Sequence, residues 1–147
     1  MLLPNSKTQT FADFKLTTGV VMAELTIAYE TYGELAPDGN NAILVCHGYT
    51  NTPHAAGDAL GWGYNLIGPG KAVNTDKYFV VCSNMIGSAY GSSGPCETNP
   101  ATGKPYGPDF PKYTILDMIA AQHDLLDHLE IEQLKAVMGY SYGGHLT

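Results

Sequence analysis

The sequence predicts a mostly parallel α/β sheet fronted by an antiparallel meander, on three observations. Residues 42–46 (AILVC), 78–82 (YFVVC) and 134–138 (LKAVM) are short runs dominated by apolar residues without strict alternation, the pattern of parallel strands covered on both faces. Between the last two, Ile115, Met118, Ile119, Leu125, Leu126 and Leu129 recur at three- and four-residue steps, the period of an amphipathic helix. The third run passes directly into Gly139-Tyr140-Ser141-Tyr142-Gly143, a serine held between two glycines at the carboxyl end of a strand.

The elements follow in order. Residues 14–22 read as two short strands around a turn at Gly19. Leu25, Ile27 and Tyr29 then alternate with polar or small residues, as a half-buried strand does. Pro37-Asp38-Gly39-Asn40 is a turn, proline presetting one dihedral and glycine accepting positive φ. After the second apolar run, residues 84–112 show no periodicity, and glycine and proline recur throughout. A loop this long in a compact domain is functional or disordered, and Tyr90, Tyr106, Phe110 and Tyr113 favour an ordered wall of an active-site mouth. Thr114 with Asp117 three residues on forms a capping box for the helix. His123 and His128 fall on its polar side. Strand, helix and strand make a βαβ unit, whose ligands bind beyond the carboxyl ends of the strands.

A strand running into G-x-S-x-G is the nucleophile elbow of an α/β-hydrolase. The flanking glycines remove side chains that would collide in the turn, and Ser141 is expected in a strained backbone conformation. His47-Gly48-Tyr49-Thr50 follows the first buried run, where this fold supplies one oxyanion-hole amide; the residue after the nucleophile supplies the other. Ser141 is therefore the candidate catalytic nucleophile, with the backbone N–H groups of Tyr49 and Tyr142 as oxyanion donors. His47 precedes the serine and belongs to the oxyanion loop, so a structural role is expected rather than that of base. His145 is expected as a helix residue near the core. His47 and His54, on a loop read as lacking an acidic partner, make a poor metal pair. In this fold the acid and histidine of the triad follow the serine. Only five residues follow Tyr142, so residues 1–147 are read as the N-terminal part of a single α/β-hydrolase domain, truncated after the elbow.

Composition narrows the functional classes. An apolar share of 44% with 14% charged residues is globular. A net charge of −7 without a basic cluster argues against nucleic acid as a partner. The opening residues MLLPNSK carry neither a basic nor an apolar leader region, and no apolar run approaches a membrane span; a cytoplasmic protein without membrane contact is expected. Cys46, Cys82 and Cys96 are odd in number and lack ligand spacing, so Cys46 and Cys82, at strand ends, read as small buried hydrophobes and no metal is expected. Gly68-Pro69-Gly70-Lys71 and residues 87–91 match no phosphate-binding register.

Several stretches together resemble the homoserine O-acetyltransferase family, the acyltransferase branch of the α/β-hydrolases. They include residues 27–35 (IAYETYGEL), 42–47 (AILVCH), 54–57 (HAAG), 65–72 (NLIGPGKA), 76–84 (DKYFVVCSN), 90–95 (YGSSGP) and 99–111 (NPATGKPYGPDFP). The resemblance implies ping-pong acetyl transfer from acetyl-CoA, a substrate and not a bound cofactor, to the hydroxyl of homoserine or a related small alcohol. In that setting the activity belongs to methionine biosynthesis. Ser141 matches the family's nucleophile, and Tyr49 and Tyr142 its oxyanion donors; the family's catalytic Asp and His and its carboxylate-binding arginine match nothing in this chain. Two motifs depart from the family pattern. Members usually read G-G-S-M-G-G at the elbow and H-A-L-T-G after the first buried strand, where this chain has GYSYGG and HGYTN.

Three functions are thus in play for the whole protein: an acyltransferase on small-molecule substrates, a serine esterase in which water takes the acyl group, and a non-catalytic binding protein on this scaffold. A homo-oligomer is open. The 147-residue polypeptide alone is expected to be catalytically silent, for want of a base, and to self-associate through an unpaired strand edge.

Overall fold

The computed structural model describes residues 2–147, and its main sheet carries five strands in the order β1-β2-β4-β3-β7. β1 (Lys7–Lys15) and β2 (Val21–Tyr32) are antiparallel, as are β2 and β4 (Phe79–Ser83); β3 (Ala42–Cys46) runs parallel to both β4 and β7 (Leu134–Gly139). The antiparallel opening and the parallel continuation are those predicted. The expected pair of short strands around Gly19 is longer on both sides. β1 starts at Lys7, and β2 runs unbroken to Tyr32, because nothing between Met22 and Leu25 interrupts it. Leu25, Ile27 and Tyr29 are buried, as their alternation predicts.

Two cores flank the sheet. On one face Leu25, Leu44, Cys46 and Val81 pack with α1 (Ile115–His128) through Met118, Ala121, Leu125 and Leu126. On the other, Ile43, Val45, Val80 and Cys82 are covered by Ala55, Ala56, Ile67 and Val73 from the connection between β3 and β4. Cys46 and Cys82 are free, buried thiols, and burial pushes both upward in pKa. Ile119, predicted on the buried stripe, is exposed. It stands one 100° step past Met118, outside the arc that meets the sheet. The predicted cap forms: the Thr114 amide donates to Asp117 Oδ2 at 2.7 Å. Asp117 also accepts from the Thr17 amide and hydroxyl, at 2.6 and 2.9 Å. Burial raises its carboxyl, but these hydrogen bonds outweigh burial and hold it below the usual range. One side chain thus caps α1 and ties it to the turn between β1 and β2.

β7 departs from the expectation of burial on both faces. It lies outermost among the described strands, beside β3 alone, and its residues alternate between half-buried and exposed. The long connection after β4 is ordered. It holds the short hairpin of β5 (Thr98–Asn99) and β6 (Lys104–Pro105) and a 3₁₀ turn over Gly107–Asp109. Tyr106, Phe110 and Tyr113 stack edge to face, at 5.5 and 6.0 Å between ring centres. Its first part continues along the edge of β2 beyond the reach of β4. The Ser93 and Ser92 hydroxyls accept from the Thr26 and Ala28 amides, at 2.9 and 3.0 Å, and the Asn84 amide donates to the Ala28 carbonyl. Polar side chains here complete a strand's hydrogen bonding, a device with no periodic signature.

Candidate active site

β7 leads through Tyr140 into Ser141, which has φ +52, and a 3₁₀ turn follows over Ser141–His145. A serine in the left-handed region costs about 1–3 kcal/mol and persists only where its surroundings impose it. The two glycines show what does so. A Cβ on Gly143 would lie 2.6 Å from the His47 oxygen and closer still to the Cys46 oxygen; one on Gly139 would lie 2.6 Å from the Gly143 carbonyl carbon. The elbow therefore docks backbone to backbone onto the carboxyl end of β3 and the start of the loop that follows it. The expected strain at Ser141 is present, and the glycines have the expected reason.

His47 is fully buried. Its Nδ1 lies 2.8 Å from the Gly48 carbonyl and its Nε2 3.1 Å from Asn84 Oδ1. Burial pushes its pKa down, outweighing the hydrogen bond to the Gly48 carbonyl, so the ring is neutral with one N–H. Two acceptors do not suit one donor, and Asn84 Nδ2 is buried without a partner. Exchanging the O and N of the Asn84 amide, which have the same shape, resolves the mismatch at His47: Nδ2 donates to His47 Nε2, and Nδ1–H donates to Gly48, while the amide oxygen takes the buried, unpartnered position. His47 is thus a strut of the loop after β3 with both nitrogens committed, the structural role expected of it. His145 is exposed, not near the core; the tight turn leaves only its ring edge against Tyr142, 6.0 Å between centres.

Tyr49 and Tyr142 stand side by side, ring centres 5.7 Å apart and edge to face. The Tyr49 amide donates to no group among the described residues. Both tyrosines line a cavity of about 420 Å³, with Met85, Ile86, Tyr90 and Tyr113 from the connection after β4 and its neighbours. The volume is that of a small-molecule site, and the predicted wall occupies one side of it. Lys71 of the glycine-rich segment 68–71 is engaged with the Tyr64 carbonyl and ring.

His54 corrects the sequence reading. Its Nδ1 lies 2.8 Å from Glu30 Oε2 and its Nε2 3.0 Å from Asp58 Oδ1. Glu30, itself buried, also accepts from the Ser6 and Tyr32 hydroxyls, both at 2.8 Å. The sheet brings Glu30 across 24 residues, a partnership that sequence spacing hides. Burial opposes His54's charge, but the hydrogen bonds to Asp58 and Glu30 and their charges prevail and raise its pKa. A group raised on folding stabilises the fold fully below its unfolded pKa, about 6.5 for histidine, and loses that contribution as pH rises through the folded value. Melting temperature should therefore fall as pH climbs above about 6.5, and His54→Gln should flatten that decline. A wild-type decline that survives in His54→Gln would assign it to another group.

The profile of the alpha/beta hydrolase fold family matches residues 41–147. A homoserine O-acetyltransferase of Deferribacter desulfuricans is 48% identical over 149 residues, covering 97% of this chain and 40% of that protein. The crystal structure of a homoserine O-acetyltransferase from Bacillus anthracis superposes with a TM-score of 0.86 at 37% identity, covering 97% of this chain and 42% of that one. Esterase E22 superposes equally well, with a TM-score of 0.85 at 34% identity and 94% and 41% coverage. The chain thus spans well under half the length of these relatives. With its elbow serine, its docked glycines and a family match over most of its length, this chain belongs to the alpha/beta hydrolase fold family, and the curated proteins it is similar to include homoserine O-acetyltransferases.

Proposed function

We propose that this chain is the nucleophile-bearing N-terminal part of an O-acyltransferase domain that moves an acetyl group from acetyl-CoA, through Ser141, to the hydroxyl of homoserine or a similar small alcohol. The observation that carries the reading is the elbow: a serine at φ +52 whose following turn seats on the loop bearing the free Tyr49 amide. Identity near 50% to proteins named homoserine O-acetyltransferase supports the acyl acceptor. In this mechanism the Ser141 oxygen attacks the thioester carbonyl and CoA leaves as its thiol. The acceptor hydroxyl then attacks the acyl-enzyme and restores Ser141. At each step the Tyr49 and Tyr142 amides receive the charge that develops on the carbonyl oxygen. His47, committed to Gly48 and Asn84, is not the base that takes the serine proton. The setting is a cytoplasmic enzyme of small-molecule metabolism, and of methionine biosynthesis if the acceptor is homoserine.

A serine esterase is the second reading. It is favoured by the paired tyrosines at the acyl site and by the similarity to esterase E22. Incubating the whole protein with acetyl-CoA, with and without homoserine, separates the two. The transferase reading expects CoA release that depends on homoserine and an equal yield of O-acetylhomoserine. CoA release indifferent to the acceptor would replace it with the esterase.

A further inference from the structure

Tyr140, between the end of β7 and the nucleophile, is half exposed. Its hydroxyl donates to Asn51 Oδ1 across 89 residues of sequence. Its ring lies over Gly48: a Cβ there would be 3.1 and 3.2 Å from two ring carbons. The same ring stacks on Trp62, centres 5.1 Å apart, and the Trp62 indole N–H donates to the Thr52 carbonyl at 3.1 Å. Gly48, Asn51 and Thr52 are thus three points on one loop, held by Tyr140 and the indole beside it. The loop also closes on itself, the Asn51 amide donating to the Gly48 carbonyl at 3.0 Å, and His47 fixes that carbonyl from below. The free Tyr49 amide sits between the pinned points.

From this geometry we propose that Tyr140 is a positioning residue: with Asn51 as its partner, it latches the oxyanion loop to the elbow and fixes the Tyr49 N–H relative to Ser141. The inference rests on the acyl-transfer reading above. One peptide bond joins the latch to the nucleophile, so any shift of the loop is measured against Ser141 itself. A side chain at position 48 would press on the Tyr140 ring and the Asn51 oxygen, so glycine there leaves room for the latch. The latch acts on the developing oxyanion and not on the ground-state substrate, so it governs turnover more than substrate binding.

The test uses the whole protein with Tyr140→Phe, which deletes one oxygen, Asn51→Ala, and the two combined. Misplacing an oxyanion donor by a fraction of its bond length costs roughly ten- to a hundredfold. Each single variant should lose about that factor in kcat with KM nearly unchanged, and melting temperature should stay within about a degree. The double variant should be no worse than the singles, because one bond is lost in all three. Affinity for a small alkylboronic acid, which forms a tetrahedral anion on a serine oxygen, should fall by the same factor as kcat. Single variants that keep kcat within about twofold, or losses that multiply in the double variant, overturn the latch while leaving the nucleophile in place. If the unsubstituted protein shows no acetylation of Ser141, the acyl-transfer reading falls and the latch with it.

Discussion

Ser141→Ala in the whole protein is expected to abolish the covalent acyl-enzyme and to lower turnover by roughly 10⁶-fold, the scale for deleting a serine nucleophile. The loss follows from geometry. The elbow holds this one oxygen at the carboxyl end of a parallel strand, at φ +52, beside the loop that carries a free amide. Tyr140 and Tyr142 bring no alternative oxygen into that position, since the Tyr140 hydroxyl is bonded to Asn51 and the Tyr142 hydroxyl lies against Met118 Sδ at 3.9 Å. Alanine adopts the left-handed region no more readily than serine, so the fold should change little and the effect should be chemical. Intact-mass and peptide analysis after exposure to acetyl-CoA checks this. Acetylation that persists in Ser141→Ala, or that maps to another residue, removes the assignment.

Gly143→Ala should be nearly as damaging, through structure. The added methyl would meet the Cys46 and His47 carbonyl groups, which belong to β3 and its exit and have no room to retreat. Overpacking of this kind costs about 1–3 kcal/mol. The elbow must also back away from the loop after β3, and displacement of the reacting groups by about 1 Å costs about a hundredfold in rate. Gly144→Ala is the control, because the nearest atom to a Cβ there is 4.0 Å away; it should stay within about 0.5 kcal/mol of wild type. A Gly143→Ala protein that melts and turns over like Gly144→Ala would refute the backbone-on-backbone docking.

Much of the frame was legible because burial on both faces writes an unmistakable apolar signature, as in Ala42–Cys46 and Phe79–Ser83. β1 was less legible because it is an edge strand: Lys7, Thr8, Gln9 and Thr10 are mostly solvent-facing, and solvated faces carry no pattern. Ile119 shows the limit of a three-four repeat, which fixes a stripe but not its borders. Of the site, the local geometry was readable, since the elbow is five consecutive residues. The pairings that hold it were not. Glu30 with His54, Asn84 with His47 and Asn51 with Tyr140 join residues 24, 37 and 89 positions apart. The last two exist because parallel neighbouring strands end at the same level, whereas Glu30 lies within β2, opposite Cys82 of β4, and meets a loop that leaves a strand farther across the sheet.

The serine hydroxyls that finish the edge of β2 have a consequence for how this pocket can change. Ser92 and Ser93 fasten the cavity wall to Ala28 and Thr26, so residues 84–93 span a fixed distance between two anchored points. Past that fastening, the hairpin of β5 and β6 hangs free of the main sheet. Length variation is therefore partitioned: residues can be gained or lost around 98–105 without reshaping the cavity, whereas one residue more or fewer in 84–93 would move Met85, Ile86 and Tyr90 together. A lineage exploring new substrates on this scaffold would do so by exchanging side chains in the pinned segment and by trading loop length in the other.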